Sequence, residues 1–255
     1  MSRERIATLF ERACLAELDA LKPGNVHRFA AGHGMTVSEF EASAAAAAPA
    51  IARPGTPLGA RILEAVGATR AAVGTNTNLG ILLLCAPLAA AAERSGPLRR
   101  AVVEVLAASD RDDTRKVYAA IRLARPGGLG RVAKADVAHG LADPFEIGAP
   151  LLDALEARGW SEPWALAGLH LHLLARIPDS HVARKFGRDT AEALRAEAAP
   201  LARRLLAAVR PERFEEELLA FDTVLKARGL NPGTTADLVV ASLFARLLLR
   251  AGANR

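Results

Sequence analysis

Aromatic side chains are scarce: eight Phe, two Trp and one Tyr make up 4% of the 255 residues. A large core cannot then rest on rings. Hydrophobic residues still reach 51%, so the interior must be built from Ala, Leu and Val. Ala and Leu are among the best helix formers. The same scarcity removes the stacking platforms on which single-stranded nucleic acid is usually held. Only two cysteines occur, Cys14 and Cys85, both in apolar periodic segments. They exclude a disulfide framework and read as buried free thiols of a cytoplasmic protein. No long hydrophobic run is present. The longest, "LGILLLCAPLAAAA", is short for a bilayer and contains Pro87. The N-terminus, "MSRERIATLFERACLAEL", alternates charge with apolar residues and has no signal-peptide core. The expectation is a soluble, cytoplasmic chain with no membrane segment, whose residues 1–255 form a single domain.

Familiar catalytic signatures are missing too. There is no H-E-x-x-H and no cysteine pair at zinc spacing. Neither a G-x-x-x-x-G-K-[ST] loop nor a strand–G-x-G-x-x-G–helix unit is found, and no Ser or Cys sits in a nucleophile elbow. His170 and His172 are two apart, so on a helix they point roughly 200° apart and cannot share a metal. The net charge is +5 and the pI about 9.7. The basic residues are spread rather than striped, which suits an anionic substrate and makes nucleic acid an unfavoured partner.

What is present is helical periodicity from end to end. Apolar spacing predicts helices over about 2–21, from Thr36 or Ser38 to Pro54, from Thr56-Pro57 to the "GTNTNLG" break, and on to about Arg94. Others run from Pro97 to Ala108 and from Asp110 to Ala124. The later ones cover about 150–158, Ser161 to Arg176, a long one capped by Asp189 and Glu192, 211–228 and 234–249. No strand pattern, fixed-period repeat or long linker interrupts them. The fold class is all-α, a multi-helix bundle with functional loops between helices.

Five breaks depart from bland loop composition: "LKPGNVH" (21–27), "GTNTNLG" (74–80), "PGGLGRVAKADVAHG" (126–140), "PDSHVARK" (178–185) and "NPGTTADL" (231–238). Each joins Gly or Pro to amide, hydroxyl, acidic or basic side chains. Gly permits close backbone approach to a ligand, a helix start offers an anion its N–H groups, and Asp can take a divalent cation. Each also has an ordinary reading. Lys22 can complement a helix C-terminus. Asn76 and Asn78 can be turn residues, and Asp136 a surface acid. Asp179 can be a cap, as can Thr234 and Thr235. The ordinary readings weaken only if the breaks converge in space.

The ordered set "KPGNVHRF…GHGM", "NTNLGI", the Asp136 segment, "PDSHVARK" and "NPGTTADL" resembles the triphosphoribosyl-dephospho-coenzyme A synthase family over nearly the whole chain. That resemblance implies an all-α enzyme that moves a triphosphoribosyl unit from ATP to an alcohol, with adenine leaving. The departures are specific. The family's Asn-Thr-His-Lys-Gly is Asn76-Thr77-Asn78-Leu79-Gly80 here, which loses a cation. Its Arg-Gly-Glu-Ala is matched by Lys134-Ala135-Asp136-Val137. Its Asp-Thr-Asn and later Arg are matched by Asp179, Ser180, His181 and Lys185. Its acid before Lys-Pro-Gly is displaced by one residue, which makes Glu17 a weaker match. The chain therefore resembles a divergent branch.

The resemblance implies these roles. Lys22, Gly233, Thr234 and Thr235 hold phosphates. Asn25, His27, Asn76, Thr77, Asn78, Lys134 and Ser180 line the nucleotide. Arg184 and Lys185 take tail phosphates or the acceptor, and Asp237 supports the acids. Asp136 and Asp179 are the catalytic candidates and the candidate ligands of the Mg²⁺ expected with ATP. The acceptor is dephospho-coenzyme A or, by divergence, a tetrahydromethanopterin-type precursor, and the lost cation weighs towards the latter. Phosphoribosyl pyrophosphate remains an alternative donor. Two other classes stay open: a helical nucleotide- or RNA-binding module without turnover, and a nucleoside or ADP-ribosyl hydrolase. The small-molecule partners are ATP and the alcohol; a homodimer is compatible with the sequence.

Overall fold

The computed structural model describes residues 1–32, 34–126 and 143–253. Among them twelve α-helices follow one another and no strand forms; two isolated bridges, His27 with Ala30 and Gly32 with Met35, are the only pairings of β type. Helix α1 (Arg3–Asp19) is capped by Ser2, whose hydroxyl accepts the Arg5 N–H at 3.3 Å. Helix α2 (Val37–Ile51) opens with a reciprocal capping box between Thr36 and Glu39. Helix α3 (Leu58–Val73) follows Pro57 and ends on Gly74, whose φ of 70° is cheap only for glycine. Next come α4 (Leu79–Ala92), α5 (Leu98–Ala107) and α6 (Arg111–Ala124), the last capped by Asp110 and Asp113.

After residue 142 a π-helical turn, Pro144–Gly148, runs into α7 (Ala149–Ala157). Helices α8 (Glu162–Leu174), α9 (Ser180–Phe186) and α10 (Arg188–Ala207) follow. A 3₁₀ turn, Pro211–Phe214, leads into α11 (Glu215–Ala227), and α12 (Gly233–Ala253) completes the described chain. No helix among the described residues is long and apolar enough to cross a membrane.

Three local expectations fail for identifiable reasons. "PDSHVARK" is a helix start and not only a break, because Asp179 caps the short α9. Asp189 and Glu192 do not cap α10. Gly187 holds the N-cap position without a side-chain bond, and Glu192 pairs with Arg195 instead. The predicted helix 211–228 is split, its first turn being 3₁₀.

Helices α4 and α12 form the centre. Helix α4 buries residues on every side, as its unbroken apolar sequence requires, and α12 packs on α1, α4 and α8. Small side chains set the spacing. A Cβ on Gly148 would stand 2.0 Å from Ser242 Oγ, so the π turn can meet α12 only at a glycine. Aromatic contacts are few: Phe10 meets Phe244 edge-on at 5.8 Å, and buried Trp160 lies under the Arg158 guanidinium at 5.4 Å.

Gly59 lets α3 touch the start of α6. Its N–H donates to Asp113 Oδ1 at 2.7 Å, and a Cβ there would lie 2.4 Å from the Asp113 carbonyl oxygen. In an open helix Gly→Ala gains about 1 kcal/mol, but backbone cannot yield as a side-chain tip can. Gly59→Ala should therefore destabilise the protein by about 1–3 kcal/mol, read as a lower urea midpoint. An unchanged or higher midpoint would show that α3 and α6 can separate freely.

Candidate functional site

Four of the five unusual breaks meet where α1 ends and α12 begins; the fifth, with Lys134 and Asp136, lies outside the described residues. The loop after α1 is held from inside. Lys22 is fully buried, and its ammonium donates to Glu17 Oε1, to Val26 O at 2.7 Å and to Asn25 Oδ1 at 3.3 Å. Three donors meet three acceptors, so a phosphate could reach this ammonium only by displacing one of them. Burial raises the Glu17 pKa and lowers that of Lys22, each opposed by the other's charge.

The same loop is fastened to the C-terminal third. The Gly24 N–H donates to Asp222 Oδ1 at 2.8 Å, and Asn25 Nδ2 donates to Asn231 Oδ1 at 2.8 Å. Lys226 Nζ lies 2.8 Å from Asp222 Oδ2 and donates to Ala30 O at 3.1 Å. His27 is fully buried, with Nε2 3.4 Å from Asp222 Oδ1. Burial depresses its pKa against the pull of Asp222. Burial opposes ionisation of Asp222 as well, but His27, Lys226 and the Gly24 N–H outweigh it, and its pKa falls. Buried His170, on α8, faces Pro23 O across 3.4 Å. Asn25 and His27 thus shape the loop from within rather than presenting polar atoms at its surface.

Asp179 joins two helix starts. Its Oδ1 accepts the Val182 N–H at 3.0 Å, capping α9. Its Oδ2 accepts the Thr235 N–H at 2.8 Å and the Thr235 hydroxyl at 2.9 Å. The residue is 2% exposed. These bonds fill three of the carboxylate's roughly four acceptor positions, and the donors of Thr235 point at Asp179 rather than outward. Gly233 N–H turns back to Asn231 O at 2.8 Å. The rim of the site is Thr234, Ser180 and Arg184: Ser180 Oγ lies 2.9 Å from Thr234 Oγ1 and accepts from Arg184 Nη1 at 3.0 Å. Lys185 is exposed beside them, its ammonium 5.2 Å from the Phe186 ring centre.

The "GTNTNLG" break reaches the same place through its last residue. Gly80 abuts Asp237 so closely that a Cβ would lie 1.9 Å from Asp237 Oδ2. Asn76 Oδ1 accepts the Leu79 N–H at 3.2 Å, and Thr77 Oγ1 lies 2.6 Å from Ser43 Oγ. Asn78 is buried with its Nδ2 unpartnered, and Leu79 is buried beside it, so no cation occupies these two positions.

Asp237 is the centre of this arrangement. Its pKa is pushed up to about 8, first by burial and then by the negative charges of Asp179 and Glu17, with Arg184 and Lys22 pulling the other way. A carboxyl poised near neutrality can take or give a proton. From sequence alone this residue has a supporting part only, and Asp222, Lys226 and Asn231 go unnoticed. Asp222 did leave a signal: it lies in the buried stripe Leu218–Asp222–Leu225 of α11, where an apolar residue belongs.

The folded pKa of Asp237 stands at about 8 against an ordinary 3.8. The unfolded chain therefore gives up this proton first, so the favourable contribution is full below 3.8 and is lost as pH rises through 8. Asp237→Asn removes that loss. The variant should melt above the wild type at about pH 9, the gap shrinking towards about pH 5. Equal melting temperatures at the higher pH would show that this carboxyl ionises without strain.

The family model described as CitG, ATP:dephospho-CoA triphosphoribosyl transferase, matches residues 3–143 and 131–255. An Albidiferax ferrireducens protein named for 2-(5''-triphosphoribosyl)-3'-dephosphocoenzyme-A synthase is 31% identical over 276 residues, covering 94% of this chain and 89% of its own. A crystal structure of an Archaeoglobus fulgidus protein named for triphosphoribosyl-dephospho-coA synthase superposes with a TM-score of 0.63 at 28% identity. It covers 82% of this chain and 98% of that one. Matched along both halves and carrying its breaks in the same order, the chain belongs to the ATP:dephospho-CoA triphosphoribosyl transferase family, a family of transferases.

Proposed function

We propose that this chain transfers the triphosphoribosyl unit of ATP to a hydroxyl of dephospho-coenzyme A and releases adenine. The observation that carries this reading is Asp237, a carboxyl with a pKa of about 8 at the meeting point of four loops. In the proposed step the acceptor oxygen bonds to C1 of the ATP ribose as the bond from C1 to the adenine nitrogen breaks. The electron pair leaves with adenine, and the hydroxyl proton passes to Asp237. Positive charge grows on the sugar during this exchange, beside Asp237, Asp179 and Glu17. Thr234, Ser180 and Arg184 take the polyphosphate, with Lys185 adding charge at the rim.

Magnesium enters with the polyphosphate. Among the described residues no three ligating groups gather; Asp136 lies outside them, and Asp179 keeps about one free acceptor position, so the ion would be held chiefly through the phosphates. Dephospho-coenzyme A is placed first as acceptor because the family description and both relatives carry it in their names. This reverses the weight that the lost His-Lys pair gave to another alcohol. One observation keeps a second reading: the buried, uncharged Asn78 and Leu79 supply no cation to a phosphate-rich acceptor. A missing contact of that kind costs about 1–3 kcal/mol, and a ribitol-bearing tetrahydromethanopterin precursor would not need it.

Incubation with ATP, Mg²⁺ and either acceptor, following adenine by chromatography and products by mass, decides the matter. We expect one adenine per triphosphoribosyl-dephospho-coenzyme A formed, and none without acceptor. Adenine release in water alone would favour a hydrolase, and product from the pterin precursor alone would favour the second reading. Asp237→Asn should lower kcat roughly 10²–10⁴-fold with little change in ATP affinity. Gly80→Ala should lower it as well by pushing the carboxyl aside. Full activity in either variant would remove Asp237 from the chemistry.

A further inference from the structure

A second concentration of charge lies away from the loops. A cavity of about 180 Å³ sits among α1, α7, α8 and α12, and four arginines line it: Arg5, Arg12, Arg246 and Arg250. On α12 Arg246 lies nine residues beyond Asp237, about 14 Å along the helix. On α1 Arg5 and Arg12 precede Glu17. The cavity is thus separate from the Asp237 site and shares two helices with it.

The arginines are only partly satisfied from within. Arg12 pairs with Glu162 at 3.0 Å, and Arg250 with Asp153 at 2.6 Å and Glu156 at 3.1 Å. Arg246 is 2% exposed and donates through Nη2 to Glu156. Its Nε lies 3.1 Å from Asp153 Oδ1 without hydrogen-bond geometry, and its Nη1 is buried with no acceptor. A buried guanidinium nitrogen left without an acceptor is costly, and Arg246 is one of the residues that line the cavity. Arg5 makes no ion pair with any described residue, and its exposure, with that of Arg12 and Arg250, leaves the cavity open to solvent.

We propose that this cavity binds a small phosphate-class oxyanion. Guanidinium forks on separate helices suit tetrahedral oxygens, which can accept from more than one direction. Four arginines face three carboxylates, Glu156 and Glu162 in the lining and Asp153 beside it, so the balance still favours an anion. The Arg246 guanidinium lies at the inner wall and Arg5 at the outer one, and Leu9 and Leu247 close the space around them. The ligand would tie α1 to α12 at the end remote from Asp237.

Calorimetric titration with inorganic phosphate tests this on the full chain. Arg5→Ala with Arg12→Ala alters exposed side chains, so folding should survive, and circular dichroism checks that it does. The double variant should bind phosphate at least tenfold more weakly, while turnover without phosphate holds. Glu162→Gln frees Arg12 and should tighten binding several-fold. Phosphate affinity identical in all three proteins would overturn the assignment, since uptake at the Asp237 site alone would not respond. So would a failure of the wild type to bind phosphate in the millimolar range.

Discussion

The loop after α1 depends on one buried ion pair. Lys22 and Glu17 lie out of reach of water, and neither could remain charged there alone. Val26 O and Asn25 Oδ1 complete the ammonium's shell, which fixes the chain direction from Lys22 to His27. That direction sets Gly24 against Asp222 and Asn25 against Asn231, and so places the N-terminal loop on the stem of α12. A hydrophobic pair could fill the same volume, but it could not hold three acceptors in fixed positions. The charge therefore acts here as a template for backbone geometry.

Around that template the site concentrates negative charge. Asp179 is partly stabilised by two N–H groups and a hydroxyl, and Glu17 by Lys22, though burial still raises the pKa of both. Among the described residues Asp237 has no such hydrogen-bond partner, and burial followed by the two neighbouring acids raises its pKa. The close approach of Gly80 keeps this carboxyl in place without offering it a donor. The protein thus keeps an ionisable group with a displaced pKa at the junction of its loops, a placement more common at functional sites than in scaffolds.

Much of the architecture was legible from Ala and Leu content and from helix punctuation. Thr36 with Glu39 and Asp110 with Asp113 behave as their spacing implies, because capping is local. Asp189 and Glu192 carry a similar pattern yet do not cap, because Gly187 occupies the turn before them. The loops that form the site could be picked out by composition, but the parts their residues play could not. Lys22, Asn25, His27 and Thr235 look like ligand contacts in sequence, and the fold turns their polar atoms towards partners inside the protein. Asp237 gained its character from Glu17 and Asp179, distant in sequence, and no local pattern encodes such a sum of fields.

The scarcity of aromatic residues has an optical consequence. Both tryptophans, Trp160 and Trp164, stand at the junction of α7 and α8, next to Glu162 and the Arg158 guanidinium. Their emission therefore samples one corner of the molecule. It would register a change among the arginines of that corner, or the loss of the whole fold, while remaining nearly blind to events around Asp237. The chain carries its fluorophores where they witness the frame and not the chemistry.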